Sequence, residues 1–215
     1  MQCYGGEKEG RRLQAAAGLG TMNTRLEFGG DLAADLEITS LAFAVVLPID
    51  ERTLLRAGGG PVLDGFLRVD GAPDQTFESA GLVFAGFEKR TGAADGWTPS
   101  LDLSLTLGFT WAKTSGEDGQ SADYRAGDLR AGARAGWVVK DWFFPYAAGR
   151  IFGGPVSWEF EGAEVTGTDA HHYQLAAGAG VSLGSLVLFF EVAAAGERGA
   201  NVGLASVSYT HLRAH

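Results

Sequence analysis

Few side chains in this 215-residue sequence stand at spacings that chemistry requires. His171-His172 is the obvious metal-binding pair, but neighbours along a strand point to opposite faces, so the two imidazoles do not converge on one ion. Glu117, Asp118 and Asp123, with Glu161, Glu164 and Asp169, fall on one side of an array of hairpins and carry the oxygen ligands that a divalent cation takes. Solvated loop charge is the simpler reading of them. Gly178, Gly180 and Gly184 look superficially like a phosphate loop, yet no helical pattern follows to supply converging N–H groups. No apolar run precedes Cys3, as one would before a lipidated cysteine. HExxH, nucleophile-elbow and Walker patterns are missing. The sequence therefore suggests no catalytic residue, cofactor or metal site. What it does offer is a set of charges interleaved with small residues: Arg56, Asp64, Arg68, Asp102, Asp128, Arg130, Arg134, Arg150 and Glu191. An isolated charge is expensive to desolvate, so mixed signs on one face imply pairing. These nine read as a structural charge network lining a lumen.

The elements that must carry them show alternation of period two. From Ser100 to Lys113, Leu101, Leu103, Leu105, Leu107, Phe109 and Trp111 alternate with Asp102, Ser104, Thr106, Gly108 and Thr110, a strand with one apolar and one polar face. Thr24 to Ile38 repeats this, with Leu26, Phe28, Leu32, Ala34, Leu36 and Ile38 opposed to Arg25, Glu27, Asp31, Asp35 and Glu37. Ser40–Pro48, Thr53–Val69, Asp123–Val138, Pro145–Phe160, His171–Ser182, Leu186–Gly196 and Ala200–Ala205 follow, and Phe77–Glu88 is apolar on both faces. In Thr53–Val69 the apolar set is Leu55, Ala57, Leu63, Leu67 and Val69. A bulge at Gly153-Gly154-Pro155 would put Val156, Trp158 and Phe160 on the face of Ile151. Connections alternate between tight (Asp50–Arg52, Gly184-Ser185) and long (Thr114–Ala122, Glu161–Ala170). Tyr173 to Phe190 runs 18 residues without a charge, but its glycines and serines suit a β-hairpin better than a membrane helix.

The net charge of −9 lacks the basic face that a phosphate backbone needs, which argues against nucleic acid. One cysteine allows no internal disulfide framework. Met1–Gly20 contains no apolar run of signal-peptide length. The last nine residues, Val207–His215 (VSYTHLRAH), resemble a translated reading frame of a sequencing adapter. On that reading the chain divides into an irregular remnant (1–23), a barrel (24–206) and a non-native tail (207–215), with a signal peptide lost by truncation or a misplaced start.

Alternation leaves open which face is inside. A soluble lipocalin-like barrel turns the apolar face to a ligand cavity, whereas an outer-membrane barrel turns it to lipid. The paired charges favour lipid, as do strand length and the aromatic residues near strand ends (Phe109, Trp111, Trp137, Trp142, Phe143, Phe144, Tyr146, Trp158, Phe160, Tyr173). With segments such as Leu129-Arg130-Ala131-Gly132 and Tyr146–Pro155, the sequence resembles the small OmpA/OmpX-like outer-membrane β-barrels of Gram-negative bacteria. The resemblance implies an all-β, antiparallel up-and-down transmembrane barrel of about ten strands, or eight. It also implies outer-membrane lipid and the barrel-assembly machinery as partners. The expected role is non-enzymatic, structural or porin-like with a small pore; the alternatives are an apolar-ligand carrier and an outer-membrane enzyme.

Overall fold

The computed structural model describes residues 13–29, 32–69, 71–92, 97–116, 121–140, 142–160 and 162–207. The tail after Val207, the first twelve residues with Cys3, and Asp31, Glu117, Asp118 and Glu161 lie outside that set. Twelve strands form one antiparallel sheet: β1 (Gln14–Phe28), β2 (Ala33–Pro48), β3 (Thr53–Val69), β4 (Gln75–Arg90), β5 (Ser100–Ser115) and β6 (Ser121–Gly136), then β7 (Phe143–Gly153), β8 (Val156–Phe160), β9 (Ala163–Asp169), β10 (Tyr173–Leu183), β11 (Leu186–Gly196) and β12 (Arg198–Val207). β12 returns to pair with β1, from Gln14↔Val207 to Asn23↔Arg198, and closes the sheet into a barrel.

The ring does not hold one strand number along its axis. Its lower part comprises β1 to β7 and β10 to β12, because β7 pairs with both β6 and β10. Higher up, β7, β10, β11 and β12 have ended. The β8–β9 hairpin replaces them, with Tyr124–Ala126 of β6 on one side and Leu26–Phe28 of β1 on the other. Ten strands thus surround the lower lumen and eight the upper. Gly153–Pro155 is where the chain leaves one ring for the other, and Gly154 lies so close to Gly127 that a Cβ there would stand 1.9 Å from the Gly127 oxygen.

Barrel diameter grows with strand number, and eight strands leave a bore that side chains alone can fill. The upper bore is filled in this way. Leu26, Phe28, Leu36, Ile38, Leu67, Tyr124, Val156 and Trp158 form a buried apolar core there, with Phe77, Phe160 and Val165 against it. Its outer face is polar, with Arg25, Glu27, Asp35, Glu37, Lys113 and Asp123. Below, the polarity is reversed. Leu101 to Trp111 on β5, Phe43 to Leu47 on β2, Leu186 to Val192 on β11 and Leu204 on β12 are exposed outside. The ten residue steps from Leu101 to Trp111 cover about 33 Å of strand, or about 25 Å in height at the usual tilt of roughly 40°, which matches the apolar band of a membrane barrel.

Several sequence expectations change accordingly. The apolar residues from Leu26 to Ile38 point inward and divide between two strands, not one, β1 ending at Phe28 and β2 starting at Ala33. Val156, Trp158 and Phe160 do not share the face of Ile151. Ile151 is 67% exposed outside, while Trp158 is fully buried inside, because the break preserves the phase. Phe144, Tyr146, Trp158 and Phe160 are thus inward residues, and Phe109, Trp111, Trp142 and Tyr173 are outward ones. β1 starts at Gln14, inside the stretch expected to be an irregular remnant, because small residues on both faces hide its alternation. The Glu161–Ala170 connection contains β9. Tyr173–Phe190 is a hairpin, turning at Gly184 with φ +70°. A lipocalin-like arrangement would need the lower ring inverted, and the upper ring, where apolar residues do face in, is packed.

Removing Trp158 leaves a cavity with no route for water to fill it favourably. Trp158→Ala is expected to cost about 3–5 kcal/mol of folding stability, whereas Leu107→Ala on the outer belt should cost well under that. Urea unfolding in bilayers, followed by the gel mobility of the folded band, checks both.

Candidate functional site: a charged lumen under an apolar plug

The inward positions of the ten-stranded ring carry two ionic clusters. In the first, Arg134 on β6 donates through Nη2 to Glu88 Oε1 (2.7 Å) and to Asp102 Oδ2 (2.8 Å), and Arg90 Nε donates to Asp102 Oδ1 at 2.9 Å. These groups meet because β5 and β6 place Asp102 opposite Arg134, and β4 and β5 place Arg90 opposite Asp102. In the second cluster, Arg130 Nη1 and Nη2 grip Glu197 Oε1 and Oε2 in a fork (2.7 and 3.0 Å), while its Nε donates to Asp128 Oδ2 at 2.9 Å. The Arg130 guanidinium also lies 4.3 Å from the ring centre of Phe152. Gln174 bridges onward, donating to Glu197 Oε1 (2.8 Å) and accepting from Arg150, whose Nη2 donates to Glu191 Oε2 at 2.7 Å. Paired and hydrogen-bonded in this way, the ions offset the cost of leaving water.

Small residues make the room. A Cβ on Gly108 would stand 2.9 Å from Asp128 Oδ1, and one on Gly132 would stand 2.8 Å from Ser104 Oγ and 3.3 Å from Arg150 Cγ.

Arg56, Asp102, Asp128, Arg130, Arg134, Arg150 and Glu191 all project into the lumen. Asp64 and Arg68 do not. The β2–β3 register shifts at Thr39/Ser40, where Asp64 and Val62 are successive partners and Leu63 is the extra residue. That single bulge turns Asp64 outward and leaves Arg68 on the outer surface, paired with Asp74 at 3.1 Å. The Asp74 carboxylate holds the Arg68 guanidinium above its ordinary pKa.

Sequence reasoning missed Glu88, Arg90, Gln174 and Glu197. Glu88 ends a stretch apolar on both faces. Glu197 sits in Gly196-Glu197-Arg198, which reads as a solvated turn. The structure instead places that turn at the low top of the wall, with Gly196 at φ +73° and a Cβ there 1.8 Å from the Tyr173 oxygen. Glu197 is consequently turned inward, its side chain 3% exposed. A charged residue beside a left-handed glycine was the available signal.

The other candidates separate. His171 and His172 are exposed in the break between β9 and β10. Asp123 and Glu164 line an outer hollow with Arg125, Ser157 and Glu159, and Ser157 donates to Glu164 there at 2.6 Å. Asp169 leaves them and points inward, accepting from Thr24 Oγ1. Among the described residues, no three His, Cys, Asp or Glu side chains gather as metal ligands do. Below the belt, the backbone N–H of Arg52 holds the Asp50 carboxyl below its usual range.

An apolar belt outside a charged lumen defines a transmembrane β-barrel of outer-membrane type, an integral outer-membrane protein. No family model and no curated protein matches the chain. Among solved structures, it is similar to the translocator domain of the autotransporter NalP from Neisseria meningitidis, at 14% identity over 92% of this chain and 89% of that one, with a TM-score of 0.49. Outer membrane protein AlkL in lipid bilayers is similar at 9% identity over the whole of both chains, TM-score 0.46. An outer membrane channel from Pseudomonas putida is similar at 10% identity over 94% and 97%, TM-score 0.40.

Two outcomes follow. Glu197→Gln leaves Arg130 without its fork and is expected to cost about 2–4 kcal/mol in urea unfolding. Asp169, above the belt, is pushed up to about 6 by burial, from an ordinary 3.8. Its folded pKa is raised, so its stabilising contribution is complete below about pH 4 and is lost as pH climbs through 6. Asp169→Asn should flatten the stability profile between pH 4 and 7, measured by the same unfolding assay.

Proposed function

We propose that the chain is a non-enzymatic structural barrel of the outer membrane, closed along its axis, which holds a rigid eight-stranded platform outside the bilayer. The observation that carries this reading is the apolar core across the upper ring. Trp158, Tyr124, Leu26, Leu36 and Leu67 are packed across the bore above the charged lumen. The alternative of a small pore needs that core to part. The tight turn at Gly184 lies at the lower end and the β8–β9 hairpin rises beyond the belt at the upper, and on that contrast the lower end is assigned to the periplasm. Outer-membrane lipid along the belt and the barrel-assembly machinery are its proposed partners, and a lumen filled by side chains is what the OmpA/OmpX-like class suggests.

Two measurements test this. In planar bilayers the purified barrel is expected to give no discrete current steps; steady unitary currents would overturn the closed reading. In a Cys3→Ser background, Glu159→Cys should react with a membrane-impermeant maleimide on intact cells. Glu51→Cys should react only after the outer membrane is permeabilised, and the reverse pattern would invert the assigned orientation.

A further inference from the structure

Among the described residues the lumenal carboxylates are unevenly shared. Arg130 has two carboxylates, Asp128 and Glu197. Arg56 has no carboxylate partner among the described residues. Its Nη2 donates to a neutral hydroxyl, Thr106 Oγ1, at 2.6 Å, and its buried Nε finds no acceptor among those residues. The charged groups acting on Arg56 are Glu88, Glu191, Arg134 and Arg150. Both of these acids are already engaged, Glu88 by Arg134 and Glu191 by Arg150. Arg134 holds Asp102 as well as Glu88, so Arg56 is left without a carboxylate at ion-pair distance among the described residues. Second carboxylates sit instead at Arg130 and at Arg134, each held by its own ion pairs.

A buried N–H without an acceptor is costly, and a buried cation without a counter-charge is costlier. The space to meet both needs is present. Arg56 lines a cavity of about 290 Å³ together with Arg130, Arg150, Gln174, Glu191 and Asn201. A water molecule takes about 30 Å³ of liquid volume, so an ion with part of its hydration fits. Water alone would satisfy the Nε but leave the charge. The neighbouring Glu191 and Glu88 would repel a dianion, so the geometry selects a single charge.

We propose that the lumen beside Arg56 binds a small monovalent anion of chloride's size. Binding to the folded barrel alone raises the folding equilibrium constant by the factor 1 + [anion]/Kd. The test uses the full chain, refolded into lipid vesicles and unfolded in urea, with sodium chloride exchanged for sodium MOPS at constant ionic strength. The folding equilibrium constant of the wild type is expected to rise in proportion to chloride, about tenfold at ten times Kd. Arg56→Gln should respond less than twofold, and Arg52→Gln, in the exposed turn after β2, should respond as the wild type does. Arg56→Lys, which keeps the charge, should retain part of the dependence. A wild type insensitive to chloride would overturn the site, as would an Arg56→Gln barrel that keeps the full response. Should neither Arg56 variant fold, the wild-type titration against Arg52→Gln still decides, because a flat response in both overturns the site.

Discussion

Every backbone N–H and C=O in a bilayer must find its partner within the protein, and a sheet can meet that demand only by closing on itself. The β1–β12 pairing is the place where this happens. Closure sets the circumference, circumference sets the bore, and the bore decides what can fill it. With ten strands there is space for guanidiniums, carboxylates and a cavity. With eight the bore is filled by an apolar core, with Thr114 and the Thr24–Asp169 pair as polar groups beside it. The two interiors of this barrel, one ionic and one largely apolar, follow a single change in strand number.

That change also explains why polarity reverses along individual strands. On β5 the outward row runs from Leu101 to Trp111 and then becomes Lys113, while the inward row runs from Asp102 and Thr106 to Ala112. The pleat is unbroken; the surroundings differ. Below, lipid lies outside and ions inside. Above, water lies outside and the core inside. The ionic network ends where the core begins, with Phe152 stacked on Arg130 at the junction.

Period-two alternation made the strands legible, and with them the closed antiparallel fold and the inward placement of Arg130, Arg134 and Arg150. It could not show which medium each face would meet. Leu26 and Leu36 carry the same signal as Leu103 and Leu105, yet they lie inside and the latter outside. Bulges were equally hidden. One extra residue at Leu63 reverses every side chain beyond it, and nothing in Val62-Leu63-Asp64 announces this. The expected phase change at Gly153–Pro155 failed for a related reason: there the chain changes partners and keeps its phase. Glu197 and Asp169 were obscured because each sits at a strand end, where charge ordinarily means solvent.

The junction at Gly153 has a bearing on how such a barrel could arise. β7 and β10 are already paired up to Ile151↔Tyr173, and Phe152 N–H donates to the His172 oxygen. Joining those two strands directly would leave a complete ten-stranded ring. The stretch from Gly154 to His172 is thus an excursion from one hairpin, held to the ring by two short edges. It brings Trp158, the largest piece of the plug, with it. The excursion thus meets Leu26, Leu36, Leu67 and Tyr124, which the ring strands themselves extend upward, and completes a core that neither part holds alone.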